Sequence, residues 1–188
     1  MKSRYDPDRH HRRSVRLRGW DYGRPGAYFV TVCTAQRQHL FGEVVAAKMQ
    51  LSACGRLVDV VWRRNVARMP HVDLDAFQVM PNHIHPILRI GDREEAESDR
   101  ATRPAGRSLG PASGELGAIV GNLKAVCTRR INRMLQLQGA SVWQRSYWEH
   151  IIRDADEFAR IRDYVLTNPA HWAEDRLYAL DSEGVPID

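Results

Sequence analysis

His83 and His85 stand one residue apart in the run MPNHIHPILRI, residues 80–90. In an extended strand alternate side chains share a face, so the two imidazoles can reach a common point. Two imidazole nitrogens aimed at one point are a donor pair for a divalent metal. The same pattern also describes two surface histidines on a half-exposed strand, and alone it carries little weight. A second stretch adds to it. In RIRDYVLTNPAHW, residues 160–172, Tyr164 and Asn168 are four apart and so lie one turn from each other on one helical face. Taken singly, Asn168 reads as a helix-ending residue before Pro169, and Tyr164 as a core aromatic with its hydroxyl at the rim. Taken with the histidines they form a constellation. Two imidazoles and one amide oxygen hold an ion, a phenol lies beside it, and coordination positions stay open for a phosphate.

The elements that must bring these residues together are legible along the chain. Residues 27–34, AYFVTVCT, are aromatic and β-branched and predict a strand. In 51–68, Leu51, Cys54, Val58, Val61 and Trp62 recur at helical spacing, with Arg56, Asp59, Arg63 and Arg64 on the outer side. Residues 72–79, VDLDAFQV, alternate as a second strand, and Met80-Pro81-Asn82 makes a turn. In the third strand, 83–90, His83, His85, Ile87 and Arg89 share one face, while Ile84, Pro86, Leu88 and Ile90 form the core face. The polar, Gly- and Pro-containing residues 91–112 predict a surface loop. A helix over about 114–135 has an inner stripe of Leu116, Ile119, Val120, Leu123, Cys127, Ile131 and Met134. EHIIR, 149–153, is a short fourth strand, and Asp154 is a good N-cap for a last helix over 155–167, ended by Asn168-Pro169. The order β-α-β-β-α-β-α is an α+β chain whose first six elements match the ferredoxin-like (RRM-like) split pattern, an antiparallel sheet with two helices on one face. Such a fold leaves its other sheet face free for bases or for chemistry.

With 188 residues, 43% of them apolar, the chain can form one domain with a real core. No apolar run approaches the length that crosses a bilayer. The basic N-terminus lacks the apolar stretch of a secretory signal. Three cysteines, Cys33, Cys54 and Cys127, lie far apart without a CxxC, which speaks for reduced thiols in the cytoplasm and against a disulfide frame or zinc ribbon. The net charge is +5, and residues 1–18 hold Lys2, Arg4, Arg12, Arg13, Arg16 and Arg18 against Asp6 and Asp8. Such an arm is a footprint of nucleic-acid binding, and equally of a solvated tail. The expected organisation is a basic arm at 1–20, a domain at 21–175 containing the 91–112 loop, and a tail at 176–188.

MPNHIH, WQRSYWEHIIRD and DYVLTNP, with RRSVRLRGWDYGRPGAYFVTVCT near the start, give the chain a family resemblance. From about residue 12 to about 172 it resembles the single-tyrosine HUH transposases, and among them the REP-associated tyrosine transposases. The resemblance implies that His83 and His85 bind the metal, that Tyr164 is the nucleophile, and that Asn168 completes the metal site. Pro86 departs from the pattern, since a proline there removes a ladder donor and suits an edge or a break.

The implied activity is metal-dependent transesterification of single-stranded DNA. Tyrosine attack gives a 5′-phosphotyrosine link and a free 3′-OH, and the link keeps the phosphoester energy for rejoining. The implied cofactor is Mg2+ or Mn2+; magnesium prefers oxygen ligands, and two imidazoles favour manganese at equal concentration. The implied partner is single-stranded or hairpin DNA of the REP palindrome kind, in a bacterial cytoplasm, with monomer and homodimer both open. Arg12, Arg13, Arg16 and Arg18, with Lys124, Arg129 and Arg130, are candidate phosphate contacts. Trp143, Tyr147 and Trp148 are candidate stacking surfaces, with core packing the competing role for the tryptophans. Tyr147 is the runner-up nucleophile, and His150 is a candidate for supporting the site. Two other functions are compatible with the residues: a non-catalytic module for structured nucleic acid, and a metal phosphodiesterase that uses water.

Overall fold

The computed structural model describes residues 25–91 and 116–178. Along them run β1 (Gly26–Cys33), a hairpin of β2 (Gly42–Val45) and β3 (Lys48–Leu51), α1 (Ala53–Val66), β4 (Val72–Val79), β5 (His83–Ile90), α2 (Leu116–Met134), β6 (Trp148–Ile152) and α3 (Ala155–Thr167). The basic arm, with Arg12, Arg13, Arg16 and Arg18, lies outside the described residues, as do the loop beyond Gly91 and the tail beyond Tyr178.

Four strands form one antiparallel sheet in the order β4-β5-β1-β6. This is the ferredoxin-like order, reached by the two β-α-β crossings that the sequence predicts. The apolar stripes of α1 (Val58, Val61, Trp62) and α2 (Ile119, Val120, Leu123, Cys127) meet Tyr28, Val30, Val32, Ile84 and Leu88 from the sheet. Each such side chain taken fully out of water contributes about 1.5–3 kcal/mol, so this layer carries the fold.

The other sheet face is not free, contrary to the expectation from the split pattern. α3 lies across it, and Val165, with the half-buried Phe158 and Ile161, forms a second small core on Phe29, Ala76, Ile87 and Ile152. The spacing 158, 161, 165 is one helical stripe. Asp154 starts this helix by accepting a hydrogen bond from the Glu157 amide at 2.7 Å. Arg162 of α3 donates to Asp75 of β4 at 3.0 Å, beside a register shift between Leu74 and Ala76. That exposed pair adds at most about 1 kcal/mol, so the apolar stripe is what seats the helix.

β5 is an interior strand despite Pro86. Its pairing with β4 runs through Phe77↔Pro86, whereas on the β1 side it steps from Phe29↔Ile87 to Val32↔Ile84. The gap falls where proline has no N–H to give. The hairpin Gly42–Leu51 is an addition that the sequence does not announce. Its turn residues Ala46 and Ala47 take φ of 49° and 60°, a left-handed conformation that Asn or Gly usually signals. Gly42, at φ +133°, lies where a Cβ would collide with the Gln50 carbonyl.

Candidate metal and tyrosine site

His83 and His85 project from β5 onto the α3 side of the sheet, and both are buried. Their Nε2 atoms are 2.9 Å apart. The other ring nitrogen of each is taken. His83 Nδ1 lies 2.8 Å from Asn82 Oδ1, and the Asn82 amide nitrogen donates to the Leu177 carbonyl at 2.7 Å. That second bond fixes which end of Asn82 is the acceptor, so His83 donates from Nδ1 and presents a lone pair at Nε2. His85 Nδ1 lies 3.0 Å from Thr31 Oγ1, and its ring also bonds the Val30 backbone. A neutral N–H···N bond joins the two rings at this distance, and an ion can take its place once both Nε2 atoms present lone pairs. Burial, followed by the neighbouring His85, holds His83 well below the usual imidazole range, and burial takes His85 down to about 4, so both rings are neutral near pH 7 and able to bind a metal. Ligands at right angles on one ion, with metal–nitrogen bonds of about 2.1 Å, lie roughly 3.0 Å apart, close to this spacing.

This arrangement has a pH consequence. For the metal-free protein, the His85 pKa of about 4 lies below its ordinary 6.5. The unfolded chain therefore binds more protons between these values, and stability present above pH 6.5 is lost as pH falls. By pH 4 the loss from His85 is about 3 kcal/mol, and His83 acts in the same direction. Thermal unfolding in chelator across this range should show the midpoint falling steadily below pH 6.5.

Tyr164 and Asn168 come from the end of α3, as their four-residue spacing requires. Asn168 is buried, and its Nδ2 donates to Asp175 Oδ2 at 3.1 Å. Asn168 Oδ1 is buried without a hydrogen-bond partner. An amide oxygen left alone inside a protein costs free energy, and an ion would satisfy it. Asp175 is the residue that sequence spacing missed. After α3 the chain turns through a 3-10 segment, Asn168–Glu174, whose Trp172 packs against His83 at 5.7 Å between ring centroids. This turn delivers Asp175 to the histidines, and ligand atoms of His83, His85 and Asp175 lie within 4.8 Å of one another. No periodicity ties Asp175 to either motif, so only the three-dimensional turn reveals it. The donor set of two imidazoles and a carboxylate suits a divalent ion such as manganese, and Asn168 turns its amide nitrogen to that carboxylate.

The Tyr164 hydroxyl donates to Asp175 Oδ2 at 3.4 Å, and its ring lies 5.5 Å from that of His85. Burial and then the Asp175 charge push its phenol up to about 12. Without a cation nearby this phenol is therefore a weaker nucleophile than free tyrosine. A cleft of about 1090 Å³ opens over the site, lined by Phe29, His85, Tyr147, Trp148, Tyr164 and Asp175 among others. It is at or above the upper end of typical small-ligand pockets, roughly 300–1,000 Å³.

The remaining site candidates are scattered. Trp148 is 46% exposed at the cleft, edge-on to Phe29 at 5.6 Å and stacked over His150. His150 is bonded to Glu157 at 2.7 Å and so braces β6 against α3. Tyr147 lines the cleft but packs partly against the main core. Trp143 is 5% exposed and packed against Phe41, so its ring is a core element and cannot stack on a base. Lys124 uses its ammonium on the carbonyls of Gln144 and Arg145, at 2.7 and 3.2 Å, and so pins the segment leading into β6. Arg129 and Arg130 are exposed on α2, in the helical layer on the sheet face away from the histidines.

No protein-family model matches the chain. An uncharacterised protein of Haemophilus influenzae is 35% identical over 183 residues, which cover 95% of this chain and 99% of that protein. A second Haemophilus influenzae protein, named as a REP-associated tyrosine transposase, is 25% identical over 94 residues, half of this chain and 47% of its own length. Among solved structures, a REP-associated tyrosine transposase bound to a REP hairpin superposes with a TM-score of 0.51 at 20% identity, covering 84% of this chain and 73% of that one. No helix among the described residues is long and apolar enough to cross a membrane.

Proposed function

We propose that the chain is a REP-associated tyrosine transposase, which it resembles over half its length in one relative and in fold in a solved structure, and that it cleaves and rejoins single-stranded DNA carrying REP-like hairpins, using Tyr164 as nucleophile. One observation carries the reading. The Nε2 atoms of His83 and His85, 2.9 Å apart, share a site with the Asp175 carboxylate, and that carboxylate accepts the hydrogen bond of Tyr164.

His83, His85 and Asp175 would hold a divalent ion, Mn2+ or Mg2+, and Asn168 would join them by turning its amide so that Oδ1, in place of Nδ2, faces the ion. A bound ion supplies a Lewis acid for the scissile phosphate. The protein's own groups do the rest. Asn82 holds His83 in the tautomer that leaves Nε2 free, and Thr31 orients the His85 ring. The Tyr164 oxygen, giving up its proton, bonds to phosphorus; the bond from phosphorus to the 3′ oxygen breaks, and that oxygen leaves and takes a proton. A 5′-phosphotyrosine and a 3′-OH result. The reverse step, with another 3′-OH, joins new ends without ATP. Trp148, presented at the cleft mouth, is a stacking surface for an unpaired base next to the scissile phosphate.

The domain at 21–175 holds this chemistry, and the basic arm at 1–20 adds DNA affinity in the bacterial cytoplasm. If about four arm arginines each neutralise one phosphate, deleting residues 1–18 flattens the log-log salt dependence of binding by about 3 units. Cleavage at saturating DNA should survive the deletion. An unchanged slope in a salt titration would remove the arm from the account.

The activity itself is tested by mixing the protein with labelled hairpin DNA and Mn2+. A protein–DNA adduct that survives denaturation is expected. Cleavage without an adduct would point to water as nucleophile, and binding without cleavage to a non-catalytic module.

A further inference from the structure

Arg37 is not part of any motif, yet its backbone is held in an unusual way. It ends the short 3-10 turn Ala35–Arg37 that follows β1. Gln36 and Arg37 have φ of 54° and 52°, two consecutive non-glycine residues in the left-handed region. Such strain persists only where the surroundings impose it, and it gathers at functional sites. Here Thr34 imposes it. Its amide and hydroxyl both donate to the Asn82 carbonyl, at 2.8 and 3.0 Å, and the hydroxyl also reaches the Gln38 carbonyl at 2.8 Å. The Ala35 amide is bound to Val142 at 2.9 Å. Asn82 is the same residue that orients His83. The strained turn and the metal pair are thus built on one anchor.

The side chain that this turn presents lines the cleft with His85 and Tyr164. It stands near Cys33, the β1 partner of His83, and its charge is felt at that thiol. Among the described residues Arg37 makes no ion pair and no side-chain hydrogen bond. It is half-buried. A cleft-lining guanidinium with no ion pair of its own is available to an anion entering the cleft, and its planar fork matches a phosphate.

The geometry points to Arg37 as a phosphate ligand inside the cleft, holding one backbone phosphate of the DNA strand beside the histidine pair. This deepens the DNA-processing reading and rests on it. It makes Arg37 a substrate-binding residue, with strain in its turn as the cost of aiming the guanidinium.

The test is equilibrium binding by the full chain, in chelator so that no cleavage occurs. The probes are a labelled hairpin with short thymidine flanks and a series in which one flank phosphate at a time is a neutral methylphosphonate. Arg37→Ala should weaken binding by about tenfold or more. One neutral linkage should cost the wild type a similar factor and cost Arg37→Ala nothing further; that linkage marks the contacted phosphate. Arg37→Lys should restore part of the affinity, and the same linkage should matter again. Arg37→Gly removes the Cβ from a left-handed position, so its thermal midpoint should hold or rise while its affinity falls like that of Arg37→Ala. If Arg37→Ala fails to fold, Arg37→Gly carries the comparison. Wild-type binding by these variants, or neutral linkages that cost variant and wild type alike, would overturn the assignment. Because binding is read without an ion, coupling at one linkage stands even if no covalent adduct forms. An adduct without coupling sinks Arg37 and leaves the chemistry untouched.

Discussion

Tyr164→Phe should fold, bind the same DNA and form no covalent product. The substitution keeps the ring, which lies edge-on to Phe29 at 6.0 Å and 5.5 Å from His85. It removes one hydroxyl, whose bond to Asp175 is a long one of 3.4 Å. Stability should therefore change by well under about 1 kcal/mol. Activity should fall by at least about 10⁴-fold, the scale on which loss of a nucleophile is measured in other enzymes. Tyr147→Phe is the control. That residue packs partly against the main core, and its variant should keep cleavage. A denaturing gel of labelled hairpin with each protein decides between them; cleavage at wild-type rate in Tyr164→Phe would remove Tyr164 from the chemistry.

The second large effect is metal dependence. Wild-type protein in chelator should be inactive and should recover with Mn2+. The ion should also stabilise the fold, since the two Nε2 atoms are brought to 2.9 Å of each other only in the folded chain. At a concentration 100 times its Kd it adds about 2.7 kcal/mol. His83→Ala and His85→Ala should lose both the thermal shift and the activity. Their fold should hold, because the main core lies on the opposite sheet face. Asn82→Ala is the finer probe. It leaves every donor atom in place and frees the His83 ring, so metal affinity should fall about 10- to 100-fold. A Mn2+-induced shift that survives in both histidine variants would place the ion elsewhere.

The parts of this site that the sequence reveals are those with a period. Strand alternation places His83 and His85 together, and the four-residue spacing places Tyr164 above Asn168. β4, β5 and α3 occupy the residues expected of them. What the sequence hides has no period. Asp175 reaches the histidines through a 3-10 turn whose path depends on Trp172 packing against His83. Arg37 is aimed by a left-handed turn in which neither residue is glycine or asparagine. The covered sheet face was hidden for another reason. A strand with His83, His85 and Ile87 on one side looks half-polar, and only the 158, 161, 165 stripe of a distant helix shows what buries it. Trp143 and Tyr147 are four residues apart, yet one lies in the core and the other lines the cleft. Composition cannot separate them, because the segment between is irregular and has no face to count.

The central claim is that Tyr164 becomes covalently joined to DNA. The direct measurement is to trap the adduct formed with hairpin DNA and Mn2+, digest the protein and the DNA, and locate the modified residue by mass spectrometry. The account predicts a nucleotide joined through its 5′-phosphate to Tyr164, with the released strand ending in a 3′-OH. A nucleotide on Tyr147, or cleaved DNA bearing a free 5′-phosphate with no modified tyrosine, would contradict it.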